Sequence, residues 1–554
     1  MKNKHIISGV FVTLVLLLIA IPIVLPFAHP GYFPSHDGEW AVVRLSDMFR
    51  EIRDHQFPPR YSGNLNFGYG YPLFNFAYPL PYYIGLVLHT LKFSFINSIK
   101  LVFALSTIVS VVFMYLASKE LWRNRWAGFV SALLYAYLPY RLVDLYARGS
   151  IGETVAFAFF SYLFFVLIRL YTYPKQKRYI PLIGFGIAGL VLSHNIMAIF
   201  FLPIFLLFFG VLMWKHYKAY IVSFLSSLIL GIGTAAFFWF PALSEKNLIL
   251  LSQIPIADRT INYVTLAQLL FRPWGYGIPE AATGGFTYQI GWPQLVGLVV
   301  SAGITGFVFF KKKKIQDIDR AALFLVVSTV AMVLMMFSFT NSIWETVPLL
   351  KEINYPWTLL GPIGFVISVL VGYVTTVHIR WIKQGAVVLG ITAIILYLPF
   401  AKPEKFIYYD NNYYATNDAT TTSSSEYTPL WVTDRPLSRP AQKVELISGQ
   451  GTITNVSYSS KFTSFTANLA QEGNARINTI YYPGWIITVD GKPVIPDYSN
   501  PKGVMDIALA QGTHTVTATF TETPARFASD IVSLVSLVLL VGLLAYSFKP
   551  SKKS

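Results

Sequence analysis

A succession of apolar stretches, each close to the length a helix needs to cross hydrocarbon, constrains this chain more than any other feature. At 1.5 Å per residue, about 30 Å of hydrocarbon takes roughly 20 residues. Stretches of that order, or slightly shorter, occupy 6–28, 96–118, 126–143, 152–171, 180–194, 196–214, 220–240, 291–310, 321–339, 355–377, 385–400 and 527–548. A further one at 78–91 is short and carries Pro79 and Pro81. The composition agrees: 54% of residues are hydrophobic and only 13% charged, about half the charged share of a soluble chain. The 44 Phe, 34 Tyr and 12 Trp suit interfacial aromatic belts and exclude a disordered chain. Zero Cys excludes disulfides, thiolate metal sites, iron–sulfur clusters and Cys nucleophiles.

A net charge of +16 raises the question of nucleic acid, so its distribution along the chain decides its meaning. If 78–91 dips into the interface without crossing, alternate connections carry the basic residues. These are Lys2 and Lys4; Lys119, Arg123 and Arg125; Lys175, Lys177 and Arg178; Lys215 and Lys218; Lys311, Lys312, Lys313, Lys314 and Arg320; Arg380 and Lys383; and Lys549, Lys552 and Lys553. The same connections hold only Glu120, Asp317 and Asp319 as acids. This is the positive-inside pattern, and it turns the excess charge into a topology signal. No nucleic-acid partner is expected. The stretch at 6–28 is long for a signal-peptide core and has no small-x-small site before His29, so it reads as an uncleaved anchor.

The expected fold is a polytopic α-helical plasma-membrane protein of about twelve transmembrane helices, with both termini cytoplasmic. A transmembrane domain covers 1–400, with large external loops at 29–95 and 241–290. A β-rich extracytoplasmic domain covers 401–526. A last span with a basic cytoplasmic tail covers 527–554. In the first loop, Ala41, Leu45, Met48 and Ile52 recur at helical spacing opposite Arg44, Asp47, Glu51 and Asp54. That pattern predicts an amphipathic helix over 39–54, lying along the membrane surface. The 404–523 segment is rich in Thr, Ser, Asn and Tyr, and 513–520 alternates polar and apolar residues. Turn signals stand at Pro483-Gly484 and Asp490-Gly491.

The common soluble-enzyme motifs are missing, so the candidate chemistry is an arrangement of loop residues. Asp37 and Glu39 stand two apart just before the predicted helix, a spacing able to hold a divalent cation or leave one carboxylate as general base. The plain alternative is that Asp37 caps the helix. Arg141, Asp144, Arg148 and Glu153 fall near one membrane surface, where arginine meets a lipid phosphate bidentately or simply pairs with Glu153. His194 sits in a tight turn between two spans and serves either the turn or the same surface. Tyr69, Tyr71, Trp274 and Tyr288, in glycine-rich aromatic runs, form either a sugar platform or an interfacial belt.

Taken in order, HDGEW (36–40), FGYGYPLFNFAYPLPYY (67–83), YRLVDLYARGSIGETVA (140–156), LSHN (192–195), FTYQIG (286–291), INYPW (353–357), EYTPLW (426–431), YYPGWIITVDGK (481–492) and GTHTVTATF (512–520) resemble one family. It is the bacterial YfhO-like and 6-pyruvoyl-tetrahydropterin-synthase-related membrane proteins, of the GT-C class of integral-membrane glycosyltransferases. The resemblance runs nearly end to end. It implies a sugar donor on a polyprenyl-phosphate carrier, a cell-envelope glycan or protein acceptor, and an acidic base in the first external loop, here Asp37. Glu39 and Glu153 are supporting carboxylates. Arg148, Arg141, His194 and Arg272 are the candidates for the leaving lipid phosphate. No cofactor is required; a divalent cation, Mg or Mn, is compatible with this chemistry. One departure stands out: the family's Q-F-P-W-R pattern here ends in Thr358, so a phosphate contact expected from that arginine must come from elsewhere or be absent.

Two rival functions fit the same composition. A flippase or transporter for lipid-linked glycans would be expected to show ionisable residues within spans and an internal repeat, and the sequence shows neither. A non-catalytic envelope assembly protein, with Asp37 as a mere cap, is separated from an enzyme by whether Asp37, Arg148, His194 and Arg272 surround one place.

Overall fold

The computed structural model describes residues 2–311, 315–377 and 379–548. Lys312, Lys313, Lys314, Lys549, Lys552 and Lys553 of the charge pattern lie outside them. Among the described residues, eight helices are long and apolar enough to cross a membrane, and ten if each of two bent pairs counts as one span. The chain is a multi-pass membrane protein. The twelve predicted stretches all form helix, but four are shorter, broken or bent. The 126–143 stretch splits into Arg125–Ala136 and Pro139–Val143. Pro139 has no N–H and bars helical backbone at Leu138, whose ψ is 127°. The 180–194 stretch gives only Tyr179–Ser193, stopped where His194 turns extended. The stretch at 220–240 becomes Ile221–Thr234 and Ala236–Ser244, bent by 66° beside Gly231 and Gly233. That at 321–339 bends by 94° between Asp317–Leu334 and Ser338–Thr346. The Leu80–Thr90 helix, with 11 residues, spans only about 16 Å, too short to cross.

The predicted first-loop helix forms as Gly38–Arg53, but its polar stripe is not turned to water. Asp47 and Glu51 are buried, and Asp47 receives the Ser62 hydroxyl. A distant segment covers this face: Arg50 Nη2 donates to the Ala415 carbonyl at 3.1 Å, and Arg44 bonds Thr421 through its carbonyl and, at 3.1 Å, its hydroxyl.

Eight strands follow: β1 (Val444–Ser448), β2 (Gly451–Ser459), β3 (Phe462–Leu469), β4 (Gly473–Ile480), β5 (Trp485–Val489), β6 (Lys492–Val494), β7 (Val504–Leu509) and β8 (Gly512–Phe520). They form two antiparallel sheets, β1-β4-β7 and β2-β3-β8-β5-β6. The Asp490-Gly491 turn joins β5 to β6 with φ of 51° and 78°, the left-handed pair a two-residue hairpin requires. Alternation in β8 sends Val516, Ala518 and Phe520 into the core between the sheets. Tyr61, Phe76 and Ile249 from the preceding loops enter the same core, and the Tyr61 hydroxyl donates to the Ile480 carbonyl at 2.7 Å. The sheets are therefore docked on the loops over a shared apolar seam. Strand structure starts only at Val444; the 401–443 segment runs along the helical part with one short helix, Asn411–Ala415.

Candidate functional site

The break at Pro139 builds the site. After Pro139–Val143 the backbone widens into a π-helical turn over Asp144–Arg148 and stops at Gly149, whose φ is +64°. Such π turns cluster at functional positions. The 35–38 loop docks on this turn: the His36 and Asp37 amides donate to the Ala147 and Arg148 carbonyls at 3.2 and 2.8 Å. A Cβ on Gly149 would lie 2.3 Å from Ser35 Oγ and 2.7 Å from the Gly38 nitrogen, so only glycine admits this approach.

Asp37 occupies the N-cap position of Gly38–Arg53, yet its side chain makes no capping bond; Ser35 Oγ takes the Gly38 amide instead, at 3.1 Å. The capping alternative thus loses its hydrogen bond. Burial pushes the Asp37 carboxyl above the usual aspartate range, while the charges of Arg148, Arg44 and His36 pull it back and Glu153 adds to the rise. Burial and the Arg148 charge hold His36 below its ordinary range, and its ring lies 6.1 Å from Phe286 of the second large loop.

Arg148 is the cation nearest in effect to Asp37. Its Nη1 alone makes its protein hydrogen bonds, to Asp144 at 2.8 Å, Glu153 at 2.6 Å and the Tyr140 hydroxyl at 3.0 Å. The guanidinium carbon sits 5.1 Å from the Trp357 ring centroid. Its Nε and Nη2 have no hydrogen-bond partner among the described residues, on a side chain that keeps 12% exposure. Burial and Glu153 push the Asp144 carboxyl well up, because two carboxylates share the one cation. Thr358, standing where the family pattern has arginine, turns its hydroxyl onto the Tyr355 carbonyl at 2.7 Å. Arg148 is the cation on the face of the neighbouring Trp357.

The remaining candidates divide. Glu153 joins the cluster through Arg148. His194 lies within electrostatic reach of Glu153 and Arg148, packed 5.0 Å from Tyr78. Its Nδ1 accepts the Met197 amide at 3.3 Å, and burial pushes its pKa down to about 4. A ring that is neutral at pH 7 offers a phosphate an N–H and no charge. Glu39 faces away and receives the Tyr414 hydroxyl at 3.3 Å, so the Asp37 and Glu39 carboxylates do not form a pair. Among the described residues, no three His, Asp or Glu side chains converge as a metal ion would need.

Arg141 points into the bundle, with Nη2 on the Ser110 hydroxyl at 2.6 Å and its guanidinium 4.2 Å from the Tyr135 ring. Arg272 is tied within its own loop by the Ala281 and Gly284 carbonyls at 3.2 and 2.8 Å, and stands 5.5 Å over Tyr288. Tyr288 reaches the site's edge, 5.7 Å from Trp357, its hydroxyl buried without a hydrogen bond. Tyr69 packs under the sheets with Val432, Ile480 and Val504. Tyr71 is buried on Thr421, 3.0 Å from its hydroxyl, and Trp274 stacks 4.9 Å from Phe400. These three aromatics form no shared platform.

Two participants went unread in the sequence. Arg44, nearly two helical turns into the first-loop helix, acts on Asp37 and on Tyr71, Tyr78 and Tyr82. Tyr355 lies within reach of both Arg148 and Asp37. The INYPW motif was a signal for Tyr355; for Arg44 the helical stripe alone gave no hint.

An uncharacterised protein of Lactococcus lactis subsp. cremoris (strain MG1363) is 26% identical over 242 residues, 42% of this chain and 39% of that one. The chain aligns with the Archaeoglobus fulgidus oligosaccharyltransferase in its apo form at 15% identity and a TM-score of 0.45, covering 75% of this chain and 60% of that one. With the mycobacterial arabinofuranosyltransferase AftD the values are 14% and 0.46, covering 72% and 28%. The chain thus spans less than two thirds of each of these relatives. A family profile described as 6-pyruvoyl-tetrahydropterin synthase related domain, membrane protein, matches residues 74–401. Since that match takes in more than half of its length, the chain belongs to the 6-pyruvoyl-tetrahydropterin synthase related family of membrane proteins.

Proposed function

We propose that this protein is a GT-C-type membrane glycosyltransferase. It moves a sugar from a polyprenyl-phosphate carrier to an extracytoplasmic cell-envelope acceptor, with Asp37 as general base. One observation carries the reading: the Asp37 carboxylate, with no hydrogen-bond partner among the described residues, is held by its own backbone amide beside Arg148, which uses only one of its three nitrogens on those residues.

The chemistry follows from those two groups. An acceptor hydroxyl has a pKa far above 7, so its proton must pass to a positioned carboxylate as its oxygen attacks the anomeric carbon. The bond from that carbon to the phosphate oxygen breaks, and the polyprenyl phosphate leaves with the electron pair. Arg148 Nε and Nη2 meet the growing negative charge, a stabilisation that mutational series put at about 3–4 kcal/mol per donor. Direct displacement inverts the anomeric centre. Arg44 and Tyr355 position the pair, and His194 offers a neutral donor. The scheme requires no metal, so turnover is expected to survive EDTA; loss restored by Mg or Mn would add a cation to it.

The test is sugar release from a labelled polyprenyl-phosphate hexose by the purified protein in nanodiscs, wild type beside Asp37→Asn. Collapse of turnover with donor binding kept supports the base. Equal turnover removes Asp37 from the chemistry. Tight lipid binding without turnover on any donor points to transport or assembly.

A further inference from the structure

At the far end of the Gly38–Arg53 helix lies a cavity of about 410 Å³ that the proposed chemistry does not use. Thirteen residues separate Asp37 from Arg50, so the cavity mouth is roughly 20 Å along the helix from the base. Its walls come from the helix end, the 63–68 loop, the 439–443 lead into β1, and the turn after β2. The volume falls in the range of small-molecule sites, about 300–1,000 Å³.

Three cations line it, Arg50, Arg439 and Lys443, against one acid, Asp54. The acid is engaged: Asp54 Oδ2 accepts the Ser460 amide at 2.8 Å. Arg439 pairs with Asp418, and Arg50 Nη1 is 3.7 Å from Asp47. Lys443 differs from both. Its Nζ donates to the Gly68 and Asn478 carbonyls at 2.7 and 3.1 Å, and among the described residues no carboxylate is within ion-pair distance of it. A half-buried ammonium held by two carbonyls and no carboxylate has room for a counter-ion. Burial and the neighbouring Arg439 charge accordingly push its pKa down to about 7.

The backbone is shaped around this ammonium. Asn66, Phe67 and Gly68 take successive left-handed φ of 56°, 58° and 80°, one of them on a bulky Phe that rarely adopts it. That run delivers the Gly68 carbonyl to Lys443 and leaves open space on the other side of Gly68. Tyr458, 62% exposed, presents its ring 5.9 Å from Nζ. Cations, small polar groups such as Asn64, and an exposed aromatic face together suit a hydroxylated ring that bears a negative charge.

We infer that this cavity is a binding subsite for an anionic carbohydrate, a uronate or sugar phosphate, with Lys443 and Arg439 taking the charge and Tyr458 the ring. The subsite stands independently of the role given to Asp37. The full chain in phosphatidylcholine nanodiscs is titrated with glucuronate, glucose 6-phosphate, glucose and inorganic phosphate, with binding read by calorimetry and saturation-transfer NMR. Glucuronate and glucose 6-phosphate are expected to bind at least tenfold more tightly than glucose or phosphate. Lys443→Gln and Arg439→Gln should each weaken them about tenfold, Tyr458→Ala should weaken them severalfold, and Asp37→Asn should leave them unchanged. The exposed Arg439 keeps the test valid if Lys443→Gln misfolds. Binding of phosphate as tight as that of glucose 6-phosphate would reduce the site to an anion hole and overturn the inference. So would equal binding of glucose and glucuronate, no binding of any probe, or binding that is indifferent to both cation variants.

Discussion

Two charge clusters sit in this molecule, and they are finished differently. One ties the last helix and the sheets to the loops. There Arg526 grips Glu245 bidentately at 2.8 and 2.7 Å, and Glu245 also receives Tyr482 and Asn75, each at 2.9 Å. Beside it Arg60 engages every guanidinium nitrogen, on Glu522 at 3.3 Å, Asp530 at 2.7 Å and the Phe237 carbonyl. The other cluster draws Asp144, Glu153 and Tyr140 onto a single nitrogen of Arg148 and leaves the Asp37 carboxylate with no hydrogen-bond partner among the described residues. The atoms left over differ in access: at the clamp Arg526 Nη1 and Glu522 Oε2 are sealed from solvent with no hydrogen-bond partner among the described residues, whereas the Arg148 side chain keeps 12% exposure, so its two free nitrogens stay open to a ligand. The first is a clamp; the second keeps donors and a carboxylate in reserve.

Substitutions can break that contrast. Asp37→Asn should lower turnover by about 10²–10⁴, the scale of general-base catalysis, with donor binding and thermal unfolding unchanged. Arg148→Lys keeps a charge for Asp144 and Glu153 but loses the planar fork, and should cost about 10²–10³ in kcat with modest loss of stability. At the clamp the signature reverses. Glu245→Ala leaves Arg526 charged and unpaired and should cost about 3–5 kcal/mol in unfolding free energy, with turnover per folded molecule kept. An equal loss of kcat from Glu245→Ala and Arg148→Lys would show that the two clusters do not divide binding from holding.

The pH profile sharpens the contrast further. Burial raises the Asp37 carboxyl, so the proposed base takes up its proton at a higher pH than a free aspartate would. The acidic limb of kcat/KM should therefore fall at pH values above the free-aspartate range as the pH is lowered. Asp37→Asn should remove that limb from whatever activity remains. The smallest effect is expected at Arg141, whose charge is spent on Ser110 and the Tyr135 ring. Arg141→Met should leave donor affinity where it was.

The helices, the strands and one member of the second cluster were legible in the sequence, and the clamp was not. Hydropathy located the helices, because each span must satisfy its backbone internally and cover itself with apolar side chains whatever its neighbours do. The alternation in 513–520 and the Asp490-Gly491 turn located strands for the same local reason. Asp37 could be singled out because a lone carboxylate between a span and a helical stripe is visible in one dimension. The stripe of Gly38–Arg53 was readable too, but the cover on its polar side was not: Thr421, bonded to Arg44, lies 377 residues away. No local pattern names a partner at that separation, so Arg44 was passed over and the helix was expected to face the membrane surface. Likewise Arg141 and Arg148 look equivalent in sequence, seven residues apart. The π turn after Pro139 separates them, sending one into the bundle and the other to Asp37.

The sequence by itself determined that this is a multi-pass membrane protein with an appended sheet region, because burial of apolar side chains and backbone hydrogen bonding act residue by residue. Only the tertiary structure decided which charges pair off and which stay open. Pairing depends on distances between segments far apart in the chain, and seven residues along one segment separate Arg141, spent inside the bundle, from Arg148, which keeps two nitrogens without a partner among the described residues.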